Sequence, residues 1–163
     1  GWMLRHLRPL VGNHIFGCDI CQEVCPYNVK ARPSSETAYA PRTGLYAPDL
    51  IPLLVLTEQA FRARFRGSPI FRAKRRGFLR NVAVALGNIG NAEAVPALIH
   101  ALDDNEPLVR GHAAWALGRI GTAEAVDALS RRLGSEKDAH VRSEIEEAMR
   151  EAEKSCSVVP DEV

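Results

Sequence analysis

The chain reads as all-α, a stack of helical hairpins in the manner of an α-solenoid. Three features carry that reading: an internal repeat, glycines at the expected helix ends, and apolar residues at helical spacing. Residues 83–98 and 114–129, offset by 31, agree at 12 of 16 positions, including Leu86/Leu117, Gly87/Gly118, Ile89/Ile120, Gly90/Gly121 and Val95/Val126. Each copy runs an apolar helix into a turn carrying two glycines (Gly87 and Gly90; Gly118 and Gly121) and opens a second helix with Glu-Ala-Val. One hairpin cannot bury its own apolar face, so the copies must stack. The stack predicts a continuous core of Leu86, Ile89, Val95, Leu98, Leu117, Ile120, Val126 and Leu129, with Trp115 between repeats.

The elements follow in order. Residues 26–48 hold Pro26, Pro33, Pro41 and Pro48 with little periodicity and read as an irregular connector. Asp49 suits the N-cap of a short helix through Leu56, and Thr57 that of another through Arg66. Ser68-Pro69 has the cap-then-proline pattern that opens a longer helix toward Asn88. A third, degenerate copy starts near Ala139. Its Val141, Ile145, Ala148, Met149 and Ala152 keep the apolar spacing, while its other positions are largely charged, as a terminal cap requires. The pattern resembles short HEAT-like repeats, with a unit shorter than the usual ~40–47 residues. His112 and His140 are expected at the surface or between repeats. Cys156 has no assigned role, and residues 155–163 are expected to fray.

Composition narrows the function classes. With 163 residues, 46% of them hydrophobic, and a net charge of +1, the chain can bury a sizeable core. No apolar run approaches the ~18 residues of a membrane span and no export signal is evident, so a cytoplasmic monomer away from membranes is expected. Because it starts at Gly1, the chain reads as the C-terminal part of a longer protein. No Ser/His/Asp triad, Walker-type loop or paired-carboxylate site emerges.

Charge is segregated. Residues 59–92 contain no Asp or Glu, while Arg62, Arg64, Arg66, Arg72, Lys74, Arg75, Arg76 and Arg80 are all basic; from 134 onward nine acids face four Lys or Arg. At about 100° per residue, Arg72, Arg76 and Arg80 form one stripe of the helix expected from Ser68. Phe71, Phe78, Val82, Leu86 and Ile89 form its buried stripe. Solvation alone can account for such a face, but unneutralised like charges favour an anionic partner, and phosphate contacts release counterions. The candidate nucleic-acid contacts are Arg66, Ser68, Arg72, Lys74, Arg75, Arg76 and Arg80. Helix capping explains Ser68 equally well.

The densest chemical signal is Cys18-Asp-Ile-Cys21-Gln-Glu-Val-Cys25-Pro26. C-x2-C-x3-C-P is the end of the bacterial ferredoxin run, in which the cysteine before proline ligates the other of two clusters. Three thiolates cannot complete one [4Fe-4S] cubane. A structural zinc site is the rival, with His14 completing a Cys3His set, although zinc motifs usually separate two ligand pairs by a longer loop.

Several blocks then resemble epoxyqueuosine reductase: residues 7–26 through Cys18, Cys21 and Cys25, the Phe65-Arg-Gly-Ser-Pro-Ile block, Arg72-Ala-Lys-Arg, Gly77-Phe-Leu-Arg-Asn, and Val109-Arg-Gly-His-Ala-Ala-Trp-Ala-Leu-Gly. The resemblance runs from about residue 7 to 133. It implies a cobalamin-binding reductase domain upstream, a two-cluster ferredoxin-like module ending at about residue 30, and a HEAT-like arm. The implied partition is 1–30 cluster module, 31–56 connector and docking helix, 57–154 repeats and 155–163 tail. It implies Cys18 and Cys21 on one [4Fe-4S] cluster and Cys25 on the other, with five further cluster cysteines upstream and transfer RNA as partner. Tyr27 stands where that family's pattern has Trp. The implied reaction reduces the epoxide of epoxyqueuosine in tRNA to the alkene of queuosine. The alternative is a noncatalytic HEAT-like interaction module with a zinc knuckle.

Overall fold

The computed structural model describes residues 1–32, 34–37, 44, 45 and 47–156. It forms two compact units, Gly1–Phe16 with Leu50–Val163 in one and Gly17–Asp49 in the other. This division differs from the expected partition, because residues 1–16 pack with the repeats. Parts of the expected connector, at 33, 38–43 and 46, and the tail from 157 onward lie outside the described residues.

All regular structure among the described residues is helical. The smaller unit contains the single-turn α1 (Ile20–Glu23); the larger holds α2 (Ile51–Leu54), α3 (Glu58–Phe65), α4 (Lys74–Ile89), α5 (Val95–Ala101), α6 (Pro107–Ile120), α7 (Ala123–Ser135) and α8 (Ala139–Cys156). Thr57 caps α3 as expected, its Oγ1 accepting from the Ala60 N–H. Asp49 does not cap α2, whose N-cap position is Leu50. The long helix expected from Ser68 is also broken. Pro69–Ala73 is a tight helical turn, and Lys74 at φ 57° and ψ 160° redirects the chain before α4 proceeds. Phe71 therefore leaves the buried stripe and is 42% exposed.

The hairpins are α4–α5 and α6–α7, closed by α8. Helices α4, α6 and α8 pack side by side, and α5 and α7 form a second layer against them. Leu86, Val95, Leu98, Leu117 and Leu129 are buried as expected, and so is Trp115. Ile89 is exposed and Ile120 half-buried because each ends its helix just before a left-handed glycine, where the chain turns away. Val126 is half-buried: α7 has no counterpart beyond α8 among the described residues to cover it.

The paired glycines do two different jobs. Gly90 and Gly121 are left-handed C-caps at φ 73° and 68°, and their N–H groups close the last turns onto Leu86 and Leu117. Gly87 and Gly118, expected in the turns, lie inside helices at the crossings. A Cβ on Gly87 would sit 2.8 Å from Trp115 and 2.9 Å from Ala116, and one on Gly118 would sit 2.6 Å from the Ala148 carbonyl oxygen. Backbone-to-backbone approach, not φ, selects glycine there.

Two ion-pair systems knit the stack. Arg75 on α4 donates to Asp104 after α5 through both terminal nitrogens, and Arg110 on α6 pairs with Glu136 after α7 through Nε and one terminal nitrogen at 2.8 and 2.9 Å. Burial pushes Glu136 up, but Arg110, the Asp138 N–H and Arg132 outweigh it and hold the carboxyl down to about 2.

The second system is an N-terminal strap. Arg8, 1% exposed, makes a bidentate pair with Glu144 at 2.9 and 2.7 Å, donates from Nε to the Met3 carbonyl and lies 5.5 Å from the Trp115 ring. Asn88 donates to the carbonyls of Arg8 and Gly12, and Asn81 to that of Ile15. Trp2 stacks between His112 and His140, with ring centroids 5.3 and 3.9 Å away, and its ring fills the space above Gly111.

His112 is fully buried, its Nδ1 2.8 Å from the Leu108 carbonyl, while its Nε2 accepts from the Met3 N–H. Those roles fix the neutral tautomer with the proton on Nδ1. Burial, reinforced by the positive charge of Arg8, lowers its pKa from 6.5 to about 3. The folded state thus binds fewer protons than the unfolded chain between those values, so stability is complete above pH 6.5 and declines as pH falls toward 3. The expected decline over that range is roughly 3–5 kcal/mol. Denaturant titrations from pH 7 to 4 should show it, and His112→Gln should remove most of the pH dependence above pH 5; an unchanged slope in that variant refutes the assignment.

Candidate nucleic-acid interface and cysteine segment

Among the expected RNA contacts, Arg66, Arg72, Lys74 and Arg76 are exposed. Arg72 and Lys74 form no ion pair among the described residues, and Arg76 lies 4.0 Å from Glu106, a distance that permits exchange for another anion. The other three candidates are placed differently. Arg75 is half-buried and neutralised by Asp104, and its Nε donates to the Leu56 carbonyl. Arg80 is half-buried on Asn81 and the Gly1 carbonyl, where burial lowers its pKa. Ser68 does not cap a helix; its Oγ is buried and has no hydrogen-bond partner. Because the chain breaks at Lys74, Arg72 does not share one continuous helix face with Arg76 and Arg80.

Three of these exposed cations, Arg72, Lys74 and Arg76, line a cleft with Phe61, Phe71 and His100, together with acidic residues that follow α5. Phe61, Phe65 and Phe78 form an aromatic cluster beneath it, with ring centroids 4.8 to 5.7 Å apart. Sequence reading did not single out the cleft, the Arg75–Asp104 pair or the strap. The repeat offset of 31 does not align the acids Asp104 and Glu136, since Asp104 maps onto Ser135, so the recurrence of an acid after each hairpin shows only in the fold.

In the smaller unit, Asp19 takes a left-handed conformation at φ 53° and leads into α1. The turn after it is tightened by the Cys25 N–H donating to Gln22 and the Asn28 N–H donating to Cys25, and the Asn28 side chain donates to the Gln22 carbonyl at 3.0 Å. Cys18 and Cys21 are exposed and Cys25 is half-buried, and all three are free thiols. Soft thiolate donors of this kind fit part of an iron–sulfur ligand set and do not complete one. Among the described residues, no three Cys, His, Asp or Glu gather as a metal site.

The two-layer stack and its recurring Arg–acid pairs define an α-helical repeat protein, and a family described as HEAT repeats matches residues 72–150. The epoxyqueuosine reductase of Shigella dysenteriae is 41% identical over 115 residues, 71% of this chain and 30% of that protein. The Escherichia coli enzyme of the same name is 40% identical over 115 residues, and that of Pseudomonas aeruginosa 44% over 113. A crystal structure of epoxyqueuosine reductase with a tRNA-Tyr epoxyqueuosine-modified tRNA stem loop superposes with a TM-score of 0.88 at 31% identity, covering 94% of this chain and 41% of that one. The Streptococcus thermophilus epoxyqueuosine reductase gives 0.79 at 29% identity. The chain is therefore a relative of the epoxyqueuosine reductases, and it spans about 30% of the length of the curated relatives it matches.

Proposed function

We propose that this chain works as part of an epoxyqueuosine reductase, supplying cluster ligands from its cysteine segment and a basic RNA-binding surface from its repeat arm. The observation that carries the reading is the exposed set Arg66, Arg72, Lys74 and Arg76 on a fold shared with a reductase crystallised on a tRNA stem loop. Exposed cations at the start of a rigid helical stack suit a polyanion that must be held in one orientation, and their contacts would be to phosphate, not to base edges. Cys18 and Cys21 would serve one [4Fe-4S] cluster and Cys25 a second, in the manner of the two-cluster ferredoxin run. When bound, such clusters pass single electrons and cobalamin supplies the reducing chemistry. The work of this chain's own residues is to bind and orient the RNA and to present thiolates. A cytoplasmic setting suits that substrate.

Replacing Arg72, Lys74 and Arg76 together with Gln is expected to weaken binding of an anticodon stem-loop. The slope of log K against log salt should flatten by about 2 to 3, on a scale of 0.7–0.9 per phosphate contact. Arg80→Gln, a residue tied to the strap, should leave the salt slope nearly unchanged. Equal affinity and slope in the triple variant and the parent would show that the basic surface is only solvated.

A further inference from the structure

The cations at the cleft share it with an aromatic ring that the core does not absorb. Phe71 packs on the buried Phe61 with planes 12° apart and centroids 6.1 Å apart, yet 42% of the residue stays exposed and lines the cleft. A single exposed apolar side chain needs no explanation by itself. The surroundings of this one are less ordinary. Of the four carboxylates lining the cleft, three are already paired, Glu58 with Arg62, Asp103 with Arg132 and Asp104 with Arg75, and Glu106 lies 4.0 Å from Arg76. The two residues that bear unpaired cations, Arg72 and Lys74, follow Phe71 closely in sequence and line the same cleft. Lys74 is also held at φ 57° and ψ 160°, a backbone region that glycine ordinarily occupies.

We propose that this cleft is a subsite for one unstacked nucleobase and the phosphates on either side of it. The base lies against Phe71, and Arg72 and Lys74 hold the phosphates. An aromatic platform beside backbone-tracking cations is the recurrent means of gripping single-stranded nucleic acid, and it accepts any base because every base has a π-face. This rests on the RNA-binding reading above and adds to it a contact that salt does not govern.

The test pairs the protein with an anticodon stem-loop in which one loop nucleotide at a time is made abasic. For the parent chain, one abasic position is expected to cost about tenfold in affinity. Phe71→Leu, which keeps apolar contact with Phe61, should lose a similar factor with the intact loop and nothing further with that abasic loop, at an unchanged salt slope. Phe71→Tyr should retain parental binding. A Phe71→Leu variant that binds like the parent, or that shows the same abasic penalty, overturns the subsite while leaving the phosphate contacts standing. Failure of the parent chain to bind the stem-loop at low salt overturns both readings.

Discussion

Gly118→Ala is expected to destabilise the chain by about 3 kcal/mol or more, and Gly118→Val to abolish cooperative unfolding. The added Cβ would meet the Ala148 carbonyl oxygen, Cα and Cβ at 2.6 to 2.7 Å, so α6 and α8 must part along their crossing. Overpacking against side chains typically costs about 1–3 kcal/mol because rotamers can yield. Here the obstacle is backbone, which yields only by moving a helix. The change also gains up to about 1 kcal/mol of helix propensity, which makes a net loss more telling. Gly134→Ala supplies the contrast: nothing lies within 4 Å of its would-be Cβ, and the position is inside α7. That variant should be stabilised by about 0.5–1 kcal/mol. Chemical denaturation of the two variants decides the matter, and equal effects would mean that close helix approach does not select Gly118.

Arg8→Met should cost about 3 kcal/mol, near the lower end of what breaking a buried pair costs, since Arg5 still reaches Glu144 at 2.7 Å. The loss comes chiefly from leaving the buried Glu144 carboxylate short of its bidentate partner. Its pKa lies below the usual carboxylate range, although burial pushes it up, because Arg8 and Arg5 together outweigh burial. Arg8→Met with Glu144→Gln should therefore recover a substantial part of the loss. The strap should loosen in the single variant, which faster proteolysis within residues 1–16 would report. If the double variant is no better than the single, the strap is held by Trp2 and the asparagine contacts and not by the ion pair.

The repeat architecture was readable in the chain itself because it rests on local regularities. The 31-residue offset shows on direct comparison of the two copies, while the apolar spacing of Phe78, Val82 and Leu86 within α4 and the αL-compatible Gly90 and Gly121 act over one or two turns of helix. The cysteine run was equally visible, since ligand spacing is a property of consecutive residues, and the family likeness followed from contiguous blocks. Charge segregation pointed to residues 59–92, but which of those cations remain available depended on partners far along the chain. Arg75 is neutralised by Asp104, and Arg80 is drawn to the N-terminal strap. The strap itself carries no local signal, because Arg8 meets Glu144 only after α6 and α8 have stacked. Gly87 and Gly118 looked like turn residues for the same reason: their role is set by a neighbouring backbone that sequence spacing does not display. The chain alone thus determined element type, repeat period and donor chemistry, all of which follow from short-range sterics and patterning. Tertiary structure decided which charges are spent on holding the stack and which face solvent, because that depends on long-range approach of groups with no relation in sequence.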